Sequence, residues 1–310
     1  MAAPAEFPVQ QVALVNSPTE LRNPATADID QLSTVDVLLM INTQDAGVPT
    51  AVRAVLPELA RLVDFAVTAL SAGHRVHYVG AGTSGRLAVL DAAELVPTFN
   101  IPPDWFVAHH AGGPNALLRA VENAEDDAEA GAARIAGHAE AGDVVVGLTA
   151  SGRTPFVLGA LAAARRLGTR TALVSANPGA PANLDVDVPI AVDTGPEVIA
   201  GSTRMKAGTA QKLVLTSFST ATMVRYGRTY SNLMVSMRAT NAKLRGRTLR
   251  ILREATGAPE QACADALARA NGDLKVALVQ LLSGADEGRA ADALSAAKGH
   301  VRTALLALGG

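Results

Sequence analysis

The chain has 310 residues, of which 18% are charged and 3% are aromatic, and its formal net charge is −2. A net charge this close to zero argues against the basic surface that a nucleic-acid partner requires. Hydrophobic residues make up 49% of the chain although aromatic ones are few, which favours alanine- and leucine-rich helices packed on a sheet over an all-β sandwich.

The cellular setting expected from the sequence is the cytoplasm. Cys263 is the single cysteine, so an internal disulfide is impossible, as is usual in a reducing compartment. The first basic residue is Arg22, so the N-terminus lacks the positive region of a signal peptide. The most apolar segment, 213–224, is shorter than the roughly 18 residues that a membrane span needs, and we expect no membrane partner.

Helical signals dominate the start of the chain. Residues 1–50 begin as a polar, proline-rich arm, and a short helix is predicted to start near Ser33. Apolar residues then recur at helical spacing over 51–72, and Gly73 ends this amphipathic helix.

From residue 75 onward, strand-like apolar runs alternate with helical segments. Strands are predicted at 75–79, 105–109, 143–148, 171–174 and 188–192, and helices at 84–95, 115–135, 155–167 and 209–224. This alternation is typical of an α/β fold with a doubly wound, five-stranded parallel sheet. Such sheets bind ligands at the carboxyl ends of their strands.

After about residue 250 the pattern contains only short helices, separated at 257–259, 271–272 and 283–284. We therefore expect three regions. These are an N-terminal arm with a short helix at 1–50, a main α/β domain at 51–248, and a small three-helix bundle at 249–310.

Two glycine turns rich in hydroxyl groups directly follow predicted strands. The first is GAGTSG at 80–85, with Gly82, Thr83, Ser84 and Gly85, and the second is TASGRT at 149–154, with Ser151, Gly152 and Thr154. Hydroxyls and backbone N–H groups at a helix start suit a bound phosphate. In the second turn, Ser151 and Thr154 also suit helix N-caps before Pro155, which is compatible with an anion site.

The first turn also matches the G-x-G-x-x-G pattern, so a dinucleotide site and a purely structural turn are alternatives to a phosphate site. A dinucleotide site needs an acidic residue at the end of the next strand to bind the ribose. That strand instead ends in His109 and His110, which favours the phosphate.

A third candidate for anion binding is EVIAGSTRMKAGTAQK, residues 197–212. It combines hydroxyls, fixed positive charge and backbone N–H groups near the start of a predicted helix. The candidate ligand-binding residues here are Ser202, Thr203, Arg204 and Lys206. Three such turns in one α/β pattern indicate a phosphorylated small molecule.

Carboxylates are the candidate catalytic groups. Glu94 stands near the end of the predicted helix 84–95, where its charge opposes the helix dipole, so we expect it to be partly shielded from water and functional. A partner acid for general acid–base work is sought in the acid-rich segment that follows, most of which is expected to be a solvated helix face. The segment leaves the choice open among Glu122, Glu125, Asp126, Asp127 and Glu129.

The histidines show no metal-ligand spacing, and no order of nucleophile, histidine and acid stands out. We therefore expect neither a metal nor an organic cofactor.

Four segments carry a family resemblance: TELRNPATADIDQLST (19–34), VGAGTSGRLAVLDAAE (79–94), GLTASGRTPFVLGAL (147–161) and GPEVIAGSTRMKAGTAQKLVL (195–215). Together they resemble the N-acetylmuramic acid 6-phosphate etherases, which carry a sugar-isomerase (SIS) domain. The resemblance covers residues 19 to about 250. The chain departs from the family pattern at Ala88, Leu95, Val96, Asn100 and Ser236, none of which is one of the two family glutamates.

The resemblance implies a cytoplasmic lyase that cleaves the D-lactyl ether of N-acetylmuramic acid 6-phosphate by elimination and hydration. The products are N-acetylglucosamine 6-phosphate and D-lactate, formed without a cofactor during recycling of peptidoglycan amino sugars. The family's two glutamates fall on Glu94, as proton donor to the departing lactate, and on Glu125, as its acid–base partner. On this basis 51–248 is the SIS catalytic domain that binds the sugar phosphate.

The length of the predicted helix 84–95 leads us to expect a homodimer. Ser84 starts the helix and Glu94 ends it, which separates them by about 15 Å at 1.5 Å per residue. A single sugar hardly bridges that distance, so we expect Glu94 to complete the active site of a second subunit.

The alternatives to an etherase are a non-catalytic sugar-phosphate sensor and a phosphosugar isomerase of the same fold. Neither of these would release D-lactate.

Overall fold

The computed structural model describes residues 17–119, 121, 123–237 and 242–309. Residues 1–16 of the predicted arm and Glu122 lie outside this range. The arm residues that follow form three single-turn 3-10 helices, Pro18–Glu20, Pro24–Thr26 and Ile29–Gln31. Helix α1, Thr34–Asp45, begins where predicted because the Ser33 hydroxyl accepts a hydrogen bond from the Asp36 N–H.

Two helices replace the single one predicted at 51–72. Helix α2 spans Val48–Ala54 and α3 spans Leu56–Ser71. Pro57 stands in the first turn of α3, where its missing N–H is tolerated; inside a continuous helix it would clash with the preceding turn. The apolar face of α3 is buried as the spacing predicts.

The predicted five-stranded parallel sheet is confirmed. Its strands are β1 (Val76–Gly80), β2 (Phe106–His110), β3 (Val144–Leu148), β4 (Arg170–Ser175) and β5 (Val188–Ala191), in the order β2-β1-β3-β4-β5. Because β1 lies between β2 and β3, the strand order reverses at β1. The crevice outside the carboxyl ends of β1 and β3 is where such folds bind ligands.

Helices cover both faces of the sheet. The apolar core on one face joins α3 to α4 (Gly82–Phe99) and α8 (Lys206–Arg225). The core on the other face joins α6 (Ala128–Ala136) and α7 (Pro155–Leu167). Helix α7 has the predicted bounds because Pro155 occupies its first turn and Gly168 ends it in the left-handed conformation.

The continuous helix predicted at 115–135 is wrong. Helix α5 is a single turn, Asn115–Leu118, and α6 begins only at Ala128. The break has a local cause, since the Asp127 carboxylate accepts a hydrogen bond from the Ala130 N–H and so caps a new helix. Glu125 consequently lies on a loop rather than on a helix face.

Beyond a short antiparallel pair, β6 (Thr229–Tyr230) and β7 (Leu233–Met234), the chain is helical. Its described residues from 242 onward form five helices, α9 (Ala242–Thr256), α10 (Glu260–Arg269), α11 (Leu274–Ser283), α12 (Glu287–Ala296) and α13 (Val301–Ala307), not the three expected. The missed break follows α12, where Lys298 and Gly299 adopt φ values of +50° and +80°.

These helices enclose an apolar core of their own, which supports a separate C-terminal region. The boundaries of the three regions stay a prediction. No helix in the described part of the chain is both long and apolar enough to cross a membrane.

Candidate active site

A cavity of about 490 Å³ opens at the carboxyl ends of β1 and β3, and six of its fourteen lining residues carry a hydroxyl group. Its uncharged lining is Ala81, Gly82, Thr83, Ser84, Thr149, Ala150, Ser151, Thr154, Pro155 and Thr203. Its charged lining is Glu20, Glu125, Asp126 and Arg153. The two predicted glycine turns therefore meet, together with one of the two predicted catalytic acids. We call this space the loop cavity.

The N-terminus of α4 is the strongest anion-binding feature of the loop cavity. The N-cap residue Ala81 has no side-chain oxygen to accept a hydrogen bond from the first turn. Uncapped N–H groups and the positive end of the helix dipole together attract an anion. Thr83 and Ser84 line the cavity at this helix start, and their role as phosphate ligands stays a prediction.

Gly85 and Gly152 shape the two turns but do not line the cavity, and their contact with a ligand stays a prediction. A Cβ on Gly85 would lie 2.6 Å from the Gly80 carbonyl oxygen, so glycine allows α4 to pack directly against β1. Gly152 has φ +72°, and a Cβ there would lie 2.4 Å from the Ala180 Cβ.

The second turn presents a linked group of hydroxyls. Thr149 Oγ1 lies 2.7 Å from Thr154 Oγ1 and 3.3 Å from Ser151 Oγ. The Asn177 side-chain amide donates to the Ser151 carbonyl at 2.9 Å, which holds the turn in place. Thr154 occupies the N-cap position of α7, yet its side chain makes no capping hydrogen bond and stays with Thr149.

The N-terminus of α7 is capped instead by the loop that carries Glu125. The Phe156 N–H donates to the Glu125 carbonyl oxygen at 3.0 Å. Two glycines let α6 and α7 approach so closely: a Cβ on Gly131 would lie 1.9 Å from the Phe156 carbonyl oxygen, and one on Gly159 would lie 2.0 Å from that of Ala128. The backbone of Glu125 is thereby tied to the second turn of the loop cavity.

At the third predicted anion site, the first N–H groups of α8 already have a hydrogen-bond partner. Glu197 is fully buried and caps α8, accepting hydrogen bonds from the Lys206 N–H at 2.8 Å and the Ala207 N–H at 2.9 Å. Burial raises the pKa of Glu197, and the two N–H groups oppose that rise. A carboxylate of the chain itself thus occupies the place expected for a ligand.

The structure also separates the four ligand-binding residues predicted in this segment. Thr203 lines the loop cavity, whereas Ser202, Arg204 and Lys206 do not. Arg204 is exposed, and the Lys206 side chain is buried and turned toward the Gln44 amide oxygen, 3.5 Å away.

Two charged residues of the loop cavity were missed as site residues. Arg153 is the cation in its wall and stands inside the TASGRT turn, so the motif itself carried the signal. Glu20 reaches the cavity because the N-terminal segment packs on the loop before α8. There the Gly201 N–H donates to the Thr19 carbonyl at 3.0 Å, and the Thr26 hydroxyl donates to the Val198 carbonyl at 2.7 Å.

Glu94 lies in a different cavity, of about 330 Å³, between α4 and α8. The same cavity is lined by Asp91 and Lys212, and we call it the groove cavity. Glu94 is exposed, so the expected shielding from water is wrong for the single chain. The helix α4 is continuous from Ser84 to Glu94, which places them about 15 Å apart along its axis, as expected.

The shielded acid of the groove cavity is Asp91, one turn before Glu94. Its two carboxylate oxygens accept hydrogen bonds from the Tyr78 hydroxyl at 2.9 Å and the Ser219 hydroxyl at 3.0 Å. Burial raises the pKa of Asp91 to about 6, although both hydrogen bonds act to lower it. Sequence reasoning missed Asp91 because its burial depends on β1 and α8.

Comparisons with known proteins agree with the class that this fold and cavity define, a SIS-type domain. Residues 58–165 match the family model of the glucokinase regulatory protein N-terminal SIS domain. The fold resembles a phosphoheptose isomerase from Francisella tularensis with a TM-score of 0.52 and 19% identity, over 62% of this chain and 98% of that chain.

Closer relatives are named N-acetylmuramic acid 6-phosphate etherase. The protein from Thermobifida fusca (strain YX) is 62% identical over 272 residues, covering 88% of this chain and 89% of that protein. The one from Symbiobacterium thermophilum is 52% identical over 265 residues, covering 86% and 88%. The chain belongs to the N-acetylmuramic acid 6-phosphate etherase family.

Proposed function

We propose that the protein cleaves the D-lactyl ether of N-acetylmuramic acid 6-phosphate, giving N-acetylglucosamine 6-phosphate and D-lactate. The names of its relatives at 51% to 62% identity support the substrate and the reaction. The observation that carries the proposal is the loop cavity, where an uncapped helix start, clustered hydroxyls and the Glu125 carboxylate line one space. A cytoplasmic role in recycling peptidoglycan amino sugars goes with this reaction.

The phosphate is assigned to the N-terminus of α4. Thr83 and Ser84 supply hydroxyls there, and Ser151 and Thr154 line the same cavity from the turn after β3. Arg153 supplies positive charge in place of Arg204 and Lys206. Charge-assisted hydrogen bonds of this kind are about twice as strong as neutral ones, so they account for affinity and orientation.

The reaction is an elimination followed by a hydration. With the sugar ring open, the C1 aldehyde makes the C2 proton acidic, and a carboxylate removes it. The C3–O bond then breaks while a carboxylic acid protonates the departing lactate oxygen. Water adds to the resulting unsaturated aldehyde at C3.

We assign the protonation of the departing lactate oxygen to Glu94 and the partner acid–base role to Glu125. Proton transfers by positioned side chains typically contribute about 10²–10⁴-fold in rate each. Two carboxyl groups in opposite protonation states perform both transfers and then exchange roles, so the scheme needs no metal or organic cofactor.

The active site is proposed to be shared between two copies of the chain. Glu94 and the loop cavity lie about 15 Å apart on α4, so a partner's Glu94 would complete each site. Uncovered apolar surface supports such a partner: α1 buries none of its residues and exposes Val35, Leu38 and Leu39, and Leu90 beside Glu94 is 54% exposed.

Mixing two inactive variants tests both the catalytic assignment and the sharing. Glu94→Gln and Glu125→Gln are each expected to release D-lactate at a rate lower by about 10²–10⁴-fold. If subunits mix at random and sites are shared, the mixture regains about one quarter of the wild-type rate, because half of the dimers contain one intact site.

Confirmed heterodimers that stay inactive would contradict the sharing. Wild-type protein that binds the substrate without releasing D-lactate would favour a sensor. A changed sugar that retains its lactyl group would favour an isomerase.

A further inference from the structure

A cluster of histidine and carboxylate side chains lies at the opposite edge of the sheet from the loop cavity. Within the described residues, His74, Glu140 and Asp143 form one set whose ligand atoms all lie within 4.8 Å of one another. His74 lies two residues before β1, and Asp143 immediately precedes β3. The set therefore lies at the amino ends of these strands. A five-residue strand separates the two edges by about 16 Å.

The His74 ring has an unsatisfied nitrogen that points into the cluster. Its Nδ1 atom is buried and has no hydrogen-bond partner. It lies 3.7 Å from Glu140 Oε1 and 3.8 Å from Asp143 Oδ1, beyond the 2.7–3.2 Å typical of a hydrogen bond to nitrogen. These distances allow an ion pair but not a hydrogen bond, and a buried polar atom without a hydrogen bond is costly, so this position needs an explanation.

The spacing fits a divalent metal ion better than a hydrogen bond. Zinc binds histidine nitrogen and carboxylate oxygen at about 2.0–2.2 Å, which puts tetrahedral ligands about 3.4 Å apart. The observed 3.7 and 3.8 Å exceed that by a few tenths of an ångström. A rotation of the Glu140 side chain, which is 70% exposed, can close the difference.

Asp143 is held in the orientation that a ligand requires. It is fully buried, and its Oδ1 accepts a hydrogen bond from the Arg75 N–H at 2.8 Å. Its Oδ2 accepts from the Glu140 N–H at 2.8 Å and lies 3.1 Å from the Nε2 atom of the buried His77. Hydrogen bonds of this outer kind orient ligands and support affinity in known metal sites.

Gly142 limits the position of the His74 ring on one side, and the ring is otherwise 30% exposed. It packs directly on the backbone of Gly142, where a Cβ would lie 2.4 Å from the ring Nε2 atom. Nδ1 therefore faces the two carboxylates, while Nε2 lies against the glycine.

We propose that His74, Glu140 and Asp143 bind a zinc ion, with water completing a tetrahedral site. The ion would join the turn before β1 to the loop between α6 and β3. It lies at the opposite sheet edge from the loop cavity, so its role is structural and its loss leaves the lactate chemistry in place.

The test uses the untagged full chain, stripped of metal by a chelator and titrated with Zn²⁺ against a chromophoric competitor. We expect one zinc per chain. Because loss of an outer hydrogen-bond partner alone costs about 10–100-fold in affinity, removal of a ligand should cost at least about 100-fold in His74→Ala and at least about 10-fold in Glu140→Gln. Cobalt in place of zinc should give the visible absorption of tetrahedral coordination, which His74→Ala should lose. Zinc should also raise the thermal unfolding midpoint of the wild type but not of His74→Ala.

His138→Gln is the matched control, because it removes an exposed neighbouring histidine that is outside the proposed ligand set. It should bind zinc as the wild type does. The proposal is overturned by a wild type that takes up no stoichiometric zinc, by His74→Ala that keeps full affinity, or by loss of binding in His138→Gln alone.

Discussion

Replacing Gly131 by alanine tests whether the packing of α6 against α7 positions Glu125. The added Cβ would lie 1.9 Å from the Phe156 carbonyl oxygen, whereas ordinary contacts begin at 3.4 Å, so the two helices must separate by about 1.5 Å. Overpacking of this kind costs about 1–3 kcal/mol of stability.

The displacement acts on the same turn of α7 that holds Glu125. The Phe156 N–H donates to the Glu125 carbonyl, so movement of α7 relative to α6 strains or breaks that hydrogen bond. A misplacement of about 1 Å at a catalytic group costs on the order of 10²-fold in rate. We therefore expect kcat for D-lactate release to fall by about 10²-fold, with a smaller change in KM because the start of α4 is untouched.

Steady-state release of D-lactate is the assay, with circular dichroism to confirm folding. Gly246→Ala is the matched control: a Cβ added to this glycine of α9 would meet open space, so alanine there should leave the rate unchanged and stabilise the helix by up to about 1 kcal/mol. A folded Gly131→Ala protein with the wild-type kcat would refute the reasoning.

Two further predictions concern the phosphate and the buried acid. Ser84→Ala should raise KM by about 10- to 150-fold with little change in kcat, since a hydrogen bond to a charged group contributes about 1.5–3 kcal/mol; an equal loss in kcat would contradict a pure binding role. Asp91 has its pKa raised from 3.8 to about 6 in the folded chain, so the folded state binds more protons than the unfolded state between these values. Asp91 therefore adds roughly 3 kcal/mol to the free energy of unfolding below pH 4, and this contribution is lost as the pH rises through about 6. Urea unfolding at several pH values should show this decline in the wild type and a flatter profile in Asp91→Asn; identical profiles would contradict the burial argument.

Local signals were enough for most elements of the sheet and for the place of the loop cavity. The apolar runs become β1 to β5 because a parallel strand covered on both faces is apolar throughout. Helix α7 was predicted with its observed bounds, since Pro155 and Gly168 are start and stop signals in the sequence itself. The turns at 80–85 and 149–154 meet because carboxyl ends of parallel strands share one edge.

Other features depend on residues distant in sequence. At the start of α8, the Lys206 and Ala207 N–H groups already donate to the Glu197 carboxylate, which comes from an earlier loop. Arg153 rather than Arg204 lines the loop cavity, since side-chain direction follows from how each loop packs. The cluster around His74 escapes any spacing rule because Asp143 belongs to a loop 69 positions later along the chain.

Glu94 and Asp91 show what the sequence alone predicts and what only the tertiary structure decides. Residue order along one helix established that Glu94 lies about 15 Å from Ser84, because helical rise is the same in every protein. Which of the two acids is the more shielded from water followed only from packing, since the Tyr78 and Ser219 hydroxyls that bind Asp91 come from β1 and α8. Distances within a regular element are local properties, whereas burial is a property of the neighbours that folding brings together.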